Sequence, residues 1–314
     1  MQKYYPEGWI VNTPENSYHM RSVASLREAC SRGTILESRV VMCDRFHNLH
    51  VDLGCARGVI PRNEGAVGVS EGTVRDIALI SRVNKPVCFI VTGFEYDENG
   101  ECTVILSRKA VQLRCLSEYI EKLSPGDVID ARITHLEYFG AFADIGAGIT
   151  SLIPVDAISV SRIDHPRDRF KTGQDIKAVV AAFDELGRVS LSHRELLGTW
   201  EENACMFKAG ETVSGIIRSI EPYGIFVELT PNLAGLAEPY EDAAVGQQAS
   251  VYIKSLIPER MKIKLIIVDA FDAGYAPEPV RYFIDGGSLS FWRYSPENCE
   301  KQIFTRFSDD EDEM

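Results

Sequence analysis

Two pairs of aromatic residues share one spacing. Phe139 and Phe142 flank Gly140-Ala141, and Tyr223 and Phe226 flank Gly224-Ile225. Rings set this close can offer flat π-faces to planar unsaturated groups such as unstacked nucleic-acid bases. Each stacked base is worth roughly 1–3 kcal/mol. Cations complete such a site, since every base arrives with a phosphate. Arg188 and Arg260 follow the two pairs at matching places, Asp184 precedes Arg188, and Lys262 and Lys264 follow Arg260. Arg162 opens a loop that also carries His165, Arg167, Arg169 and Lys171 against Asp164 and Asp168. Bland alternatives stand beside each feature: either ring could be core, a lone arginine is usually only solvated, and the basic loop could be an internal ion-pair network.

Covalent chemistry finds no comparable support. No G-x-x-x-x-G-K-[ST] phosphate loop, H-E-x-x-H motif or G-x-S-x-G turn occurs, and Gly146-Ala147-Gly148 lacks the third glycine of a dinucleotide fingerprint. The eight cysteines form no C-x-x-C pair, so no zinc site or disulfide framework is expected, and most should be buried as small apolar residues in a reducing cytoplasm. An enzyme is not expected, nor a cofactor or a metal. No apolar run has the length of a membrane span, and the start, Met1 to Glu7, has no apolar signal core, so neither a membrane nor export is expected. The net charge of −13 argues against sequence-blind binding of nucleic acid. Much of the excess lies in Asp309-Asp310-Glu311-Asp312-Glu313, which reads as a solvated acidic tail.

The elements that must position these residues come in copies. Gly126, Gly140, Phe142 and Leu152 recur 84 residues on as Gly210, Gly224, Phe226 and Leu236. The second copy then shortens between its third and fourth strands, with Gly173-Gln174 aligning with Gly246-Gln247 and Arg188-Val189-Ser190-Leu191 with Arg260-Met261-Lys262-Ile263. A weaker copy lies upstream, where Gly58-Val59-Ile60-Pro61 matches Ser151-Leu152-Ile153-Pro154 and His47 and His50 replace the two rings. Within a copy, Ile129, Ala131 and Ile133 alternate with polar residues, and Ala141, Ala143 and Ile145 do the same, leaving Phe142 and Asp144 outward. Gly140 permits a bulge or bend that brings Phe139 to the same side as Phe142. Five short antiparallel strands in such a length suit a closed barrel, which leaves no sheet edge exposed. Helical patterns fill the connections at Lys109–Leu123 and Arg194–Phe207, and a short helix with Val23, Leu26 and Cys30 inward precedes the first barrel. Beyond Ala270 the repeat stops; Pro277, Glu278 and Pro279 mark a linker, and Arg281–Ile284 and Ser288–Tyr294 read as two strands around Gly286-Gly287. Phe291, Trp292 and Tyr294 are expected to pack on the last barrel.

The middle copy resembles the S-one repeat, the RNA-binding OB-fold module of the bacterial ribosomal protein S-one family. Gly126-Asp127-Val128, Phe139 to Gly146, Ile158-Ser159, Gly173-Gln174 and Asp184 to Ser192 carry the likeness, and Glu195 to Trp200 resembles the linker of that family. The resemblance implies a mainly β chain of three tandem five-stranded OB-fold barrels joined by short helical connectors, with a small C-terminal extension. The expected boundaries are 1–32 for an N-terminal segment, 33–110 for a degenerate barrel, 111–123 for a helical linker and 124–194 for the middle barrel. A second linker spans 195–206, the last barrel 207–269, the extension 270–307 and the acidic disordered tail 308–314.

By the same resemblance, Phe139 with Phe142 and Tyr223 with Phe226 are base-stacking pairs, and the family places a cation at Arg188 and Arg260 together with an acid at Asp184. From the chain's own charges, Lys262 and the basic loop opened by Arg162 are added as RNA-binding candidates. Two departures stand out: Pro154 and Glu238 occupy a third-strand position where many relatives carry histidine, and Glu238 would repel phosphate. The implied partners are single-stranded messenger RNA and the small ribosomal subunit in the cytoplasm, with no DNA and no membrane. A protein-docking adaptor on the ribosome or on an RNA-decay complex, with incidental RNA contact, is the alternative, and the degenerate first barrel is its candidate docking module.

Overall fold

The computed structural model describes residues 4–272 and 280–308. Three closed five-stranded barrels account for most of it. The first is built from β1 (Leu36–Cys43), β2 (Leu49–Asp52), β3 (Arg57–Ile60), β4 (Pro86–Tyr96) and β5 (Cys102–Ser107). The middle one comprises β6 (Val128–Glu137), β7 (Gly140–Asp144), β8 (Thr150–Pro154), β9 (Asp175–Phe183) and β10 (Val189–Ser192). The last comprises β11 (Thr212–Glu221), β12 (Gly224–Thr230), β13 (Leu233–Ala237), β14 (Gln248–Ile257) and β15 (Lys262–Phe271). In each, the first three strands form a meander, the fifth lies parallel to the third, and the fourth closes the barrel between the fifth and the first. This is the OB arrangement.

Period-two patterning drives the closure. Ile129, Ala131 and Ile133 are buried on β6, Ala141 and Ala143 on β7, and Ile263, Leu265 and Ile267 on β15, while their neighbours face outward. Asp144 departs from the expectation. It is buried, and it accepts the backbone N–H groups of Glu7 at 2.8 Å, Gly146 at 2.9 Å and Gly148 at 3.0 Å. Burial pushes its carboxyl up to about 7 despite these bonds.

The helix before the first barrel, Val23–Arg32, is capped by Ser22 and ends at Gly33 in the left-handed conformation. It packs Leu26 and Ala29 into the barrel core. The connector to the middle barrel is a helix, Arg108–Glu118, followed by one 3-10 turn. The second connector is broken rather than continuous: a 3-10 turn, Arg194–Leu197, and a short helix, Trp200–Ala204, flank Gly198 at φ +84. All eight cysteines are free, but burial claims fewer than expected: Cys88, Cys115 and Cys299 are buried, four are partly so, and Cys205 is exposed. Cys30, Cys43, Cys55 and Cys102 pack against the first barrel's core.

The C-terminal extension folds differently from its sequence pattern. Residues 281–284 form no strand, so no hairpin closes around Gly286-Gly287. Instead Leu289 N–H donates to Gly126 O and Val128 N–H to Gly287 O, each at 2.9 Å, which pins this segment to the entry of the middle barrel. A Cβ on Gly126 would lie 2.0 Å from Leu289 O, so only glycine fits there. Phe291–Arg293 (β16) then pairs with Phe304–Arg306 (β17) in a separate two-stranded ribbon. Trp292 and Tyr294 join the core cluster of the last barrel, as their apolar bulk suggests, while Phe291 remains exposed. The expected linker residues Pro277, Glu278 and Pro279 and the acidic run 309–313 lie outside the described residues. Contacts divide the chain into two compact units. One holds the first barrel with residues 130–132 and 144–150; the other holds the remainder of the middle barrel, the last barrel and the extension.

Candidate nucleic-acid interface

The ring pairs are placed by a turn and a bulge. β6 and β7 are joined by the two residues Tyr138 and Phe139, so Phe139 sits in a turn where strand alternation does not apply. Its carbonyl accepts Val155 N–H at 3.0 Å, which fixes the turn. Gly140 begins the strand, and a Cβ there would lie 2.4 Å from Ile153 O; the glycine allows β7 and β8 to approach rather than making a bulge. The bulge lies on the neighbouring strand. In the last barrel the β11–β12 register slips between Ile217 and Ser219, setting Ser219 opposite Phe226.

The outcome is the same in both barrels. Phe139 and Phe142 have centroids 6.0 Å apart and planes at 89°. Tyr223 and Phe226 are 6.3 Å apart at 90°. Phe139 is 43% and Tyr223 67% exposed, while Phe142 and Phe226 are half-buried beneath them. Each pair therefore presents one ring standing free and one lying in the strand surface, at right angles, with an open corner for a planar group.

The middle barrel adds two rings that the sequence did not single out. Tyr138 is exposed and meets Phe139 edge-on at 5.3 Å, and His135 lies 6.4 Å from Phe142 with planes 29° apart. His135 is held by Glu137 at 2.5 Å. It occupies the position of Ser219 one repeat earlier, so the matched copies themselves marked it as Phe142's cross-strand neighbour.

Asp184 acts as a latch. Its Oδ1 accepts Leu186 and Arg188 N–H groups, both at 2.9 Å, and its Oδ2 accepts Arg188 Nε at 2.6 Å. The backbone bond from Arg188 leads the interactions that hold this carboxyl below its ordinary range. Arg188 remains largely exposed, so its guanidinium edge stays available beyond the latch. Ser190 pairs with Leu152, and Arg188 stands two residues back, in the turn that leads into β10.

The last barrel corrects the sequence alignment. Phe226 pairs with Leu236, and Leu236 with Lys264. Leu152 in the middle barrel pairs with Ser190, so Lys264 corresponds to Ser190 and Lys262, not Arg260, to Arg188. Bulges confirm this: the register slips between Ser190 and Leu191 in one barrel and between Lys264 and Leu265 in the other. Arg260 is exposed in the turn Pro258–Arg260, off the row that contains Phe226. Lys264 is thus the cation brought level with a ring. Glu238 is paired with Lys254 at 3.3 Å, both exposed, which offsets part of its charge.

The basic loop divides. Arg169 is drawn inward to Glu228 and Ser159, so for this cation the internal network is the outcome. His165 and Asp168 cap the short turn Pro166–Asp168. Arg162, Arg167 and Lys171 are exposed and make no ion pair among the described residues, but no contact joins Arg162 to the ring pair. In the first barrel the row is His50–Val59–Ile105, with no cation. His47 is engaged by Asp76 at 3.5 Å, as a satisfied surface histidine, whereas His50 meets Asp44 through Nε2 at 3.2 Å but is mostly buried, with its Nδ1 unpartnered. Among the described residues no group of three or more His, Cys, Asp or Glu could hold a metal, and no helix is long and apolar enough to cross a membrane.

Comparison with known proteins agrees with this geometry. Residues 122–194, which hold the middle barrel, match the S1 RNA binding domain, the S-one repeat named above. The chain is 31% identical over 252 residues to the small ribosomal subunit protein bS1 of Leuconostoc lactis, covering 75% of this chain and 56% of that protein. It is 33% identical over 247 residues to a bS1 homolog of Bacillus cereus, covering 73% and 62% respectively. The solution structure of GSP13 from Bacillus subtilis is 26% identical, covers 23% of this chain and 57% of that one, and superposes with a TM-score of only 0.22. The chain spans about three-fifths of the length of these two bS1 relatives. Over about three quarters of its length the chain is thus similar to bacterial bS1 proteins, and its middle barrel matches the S1 RNA binding domain.

Proposed function

We propose that this relative of the S1 ribosomal proteins holds single-stranded RNA on the outer faces of its middle and last barrels. The RNA is messenger RNA at the small ribosomal subunit, in the cytoplasm; DNA, membranes and catalysis are not part of this reading. One observation carries it: the same crossed, exposed ring pair occurs at matching positions of two barrels. A pair serving only the core would be buried, whereas each pair here leaves its turn ring in solvent. Stacking of bases on such rings does not depend on net charge, so an acidic chain can perform it. Phe139, Phe142, Asp184 with Arg188, and the additional His135 and Tyr138 make the middle barrel the stronger site. Tyr223, Phe226, Lys262 and Lys264 make the last barrel the second, while Arg162 and Arg260 serve phosphates from outside the two rows.

The test is a fluorescence titration of an A/U-rich single strand against wild type, Phe139→Ala/Phe142→Ala and Tyr223→Ala/Phe226→Ala at low and near-physiological salt. At roughly 1–3 kcal/mol per stacked base, the first variant should weaken binding by about tenfold or more, with the fold intact by circular dichroism, and the second by less. Wild type that binds no better than a neutral control protein would overturn the proposal.

A second reading concerns the first barrel. It has no ring pair at the matching positions, its row carries no lysine or arginine, and Val41, Met42, Phe46, Ile77 and Ile80 are exposed. Apolar side chains in such number favour a protein-docking role for that barrel, on the ribosome or on an RNA-decay complex. The two roles are compatible.

A further inference from the structure

An isolated two-stranded ribbon is marginal in water, so the β16–β17 ribbon needs an anchor. Its inner face supplies one. Trp292 is buried in the last barrel's core cluster, and Thr305 Oγ1 donates to Glu195 at 2.7 Å while accepting Arg194 Nη2 at 3.2 Å. Tyr294 O–H donates to the carbonyl of Asn232, and Tyr294 O accepts Trp200 N–H at 3.0 Å. Asn232 in turn accepts Val160 N–H of the middle barrel at 2.9 Å and donates to Arg194 O and Gly198 O in the connector. The ribbon is therefore fixed where the middle and last barrels join.

Its outer face has an unusual content for a solvated surface. Phe291 is paired across the ribbon with Arg306, and Arg293 with Phe304, so rings and cations alternate in a two-by-two pattern. Phe291 and Phe304 are 45% and 52% exposed, with centroids 5.9 Å apart. Arg293 is tied to Glu297 at 2.7 Å, whereas Arg306 is exposed with no ion pair among the described residues. Two bare phenylalanines cost solvation unless something covers them. Neighbouring cations favour a ligand whose flat apolar groups alternate with negative charges.

We propose that Phe291, Phe304, Arg293 and Arg306 form a third contact for single-stranded RNA, with bases on the rings and phosphate at Arg306. The inference rests on the RNA-binding reading of the barrels and extends it to a segment outside the repeats. The acidic run beginning at Asp309 opposes phosphate, so the rings rather than the charges carry most of the contact.

The experiment uses the full chain and a long A/U-rich single strand, with Phe291→Ala/Phe304→Ala, Arg306→Gln and Phe139→Ala/Phe142→Ala side by side. The ribbon double variant should bind about tenfold more weakly with unchanged circular dichroism. Arg306→Gln should lower the slope of log K against log salt by roughly 0.7, the value of one phosphate on a single strand. In wild type, 4-thiouridine photo-crosslinks should map to 288–294 or 304–307, a readout that stands even if a variant misfolds. Ribbon variants with wild-type affinity and no such crosslinks, while the barrel variant loses binding, would overturn this inference and leave the barrel reading standing. Loss of small-subunit association with RNA affinity unchanged would also overturn it, in favour of a protein contact. Wild type that binds no RNA defeats both.

Discussion

Glu228 lies between two guanidinium groups, with Arg169 Nη2 at 2.5 Å and Arg218 Nε at 2.8 Å. Arg169 comes from the loop of the middle barrel and Arg218 from β11, so this carboxylate ties the two barrels together. The side chains of Glu228 and Arg169 are each only 5% exposed. Burial already pulls the Arg169 guanidinium down, and Glu228 pulls it back up. Replacing Glu228 by alanine leaves Arg169 hydrogen-bonded to Ser159 Oγ at 3.3 Å and Asp168 O at 3.4 Å, facing the Arg218 cation, with the part-exposed Asp168 carboxylate, 3.9 Å from Arg218, as the remaining anion. Breaking a buried pair on one side typically costs about 3–5 kcal/mol. For a unit of this size that corresponds to a fall in Tm of about 6–20 °C. Differential scanning calorimetry of Glu228→Ala, with Glu238→Ala as an exposed control, measures it. The control pair with Lys254 is open to water and should be worth less than about 1 kcal/mol. Because the penalty is an uncompensated charge, Glu228→Leu/Arg169→Leu should recover much of the loss. A Glu228→Ala transition within about 2 °C of wild type would mean a loss of no more than about 1 kcal/mol, and would refute the claim that this pair holds the barrels together.

Two further outcomes follow from single residues. His193 is buried, bonds Ile158 O at 3.0 Å, and has its imidazole pulled by burial from 6.5 to about 4. The unfolded chain takes up a proton between those values and the folded chain does not. Stability is therefore fully present above the ordinary histidine range and falls toward pH 4, by up to about 3 kcal/mol; urea midpoints across this range should show it, and His193→Gln should flatten it. Gly140→Ala places a Cβ 2.4 Å from Ile153 O. It should cost about 1–3 kcal/mol in denaturant titrations and weaken RNA binding, since β7 carries Phe142.

What the sequence made legible follows from what is local or periodic. Alternating Ile129, Ala131 and Ile133 specify a strand without knowledge of its partners, and the repeated spacing of Gly140-Phe142 and Gly224-Phe226 brought the rings together correctly. Asp144 shows where that logic stops. Alternation along β7 predicts it outward, but it is buried, and its carboxylate accepts the backbone N–H of Glu7, far away in sequence. The extension fails for a similar reason: Gly286-Gly287 resembles a hairpin turn, yet Ser288 bridges to Asp127 and Phe291–Arg293 finds its partner only at Phe304–Arg306. Arg169 was indistinguishable in sequence from its neighbours Arg167 and Lys171, because only the fold sets Glu228 beside it.

The register of the last barrel changes what its surface can do. Aligning Arg260 with Arg188 makes the turn cation appear preserved and the latch merely lost, since Leu256-Ile257-Pro258 supplies no Asp184. The strand pairing instead places Lys262 at Arg188's position and Lys264 at Ser190's, level with Phe226. A guanidinium held by a carboxylate is thereby replaced by two ammonium groups on flexible stems, one of them beside the ring. Lysine is a hydrated point charge, whereas a latched arginine presents an oriented planar edge. On the proposed reading, the middle barrel's four rings and one oriented cation give stacking the larger share of its contact with RNA. On the same reading, the last barrel's two rings and two unlatched lysines give phosphate a larger share of the contact than in the middle barrel. On that reading the two copies differ in the balance of stacking against charge as well as in strength.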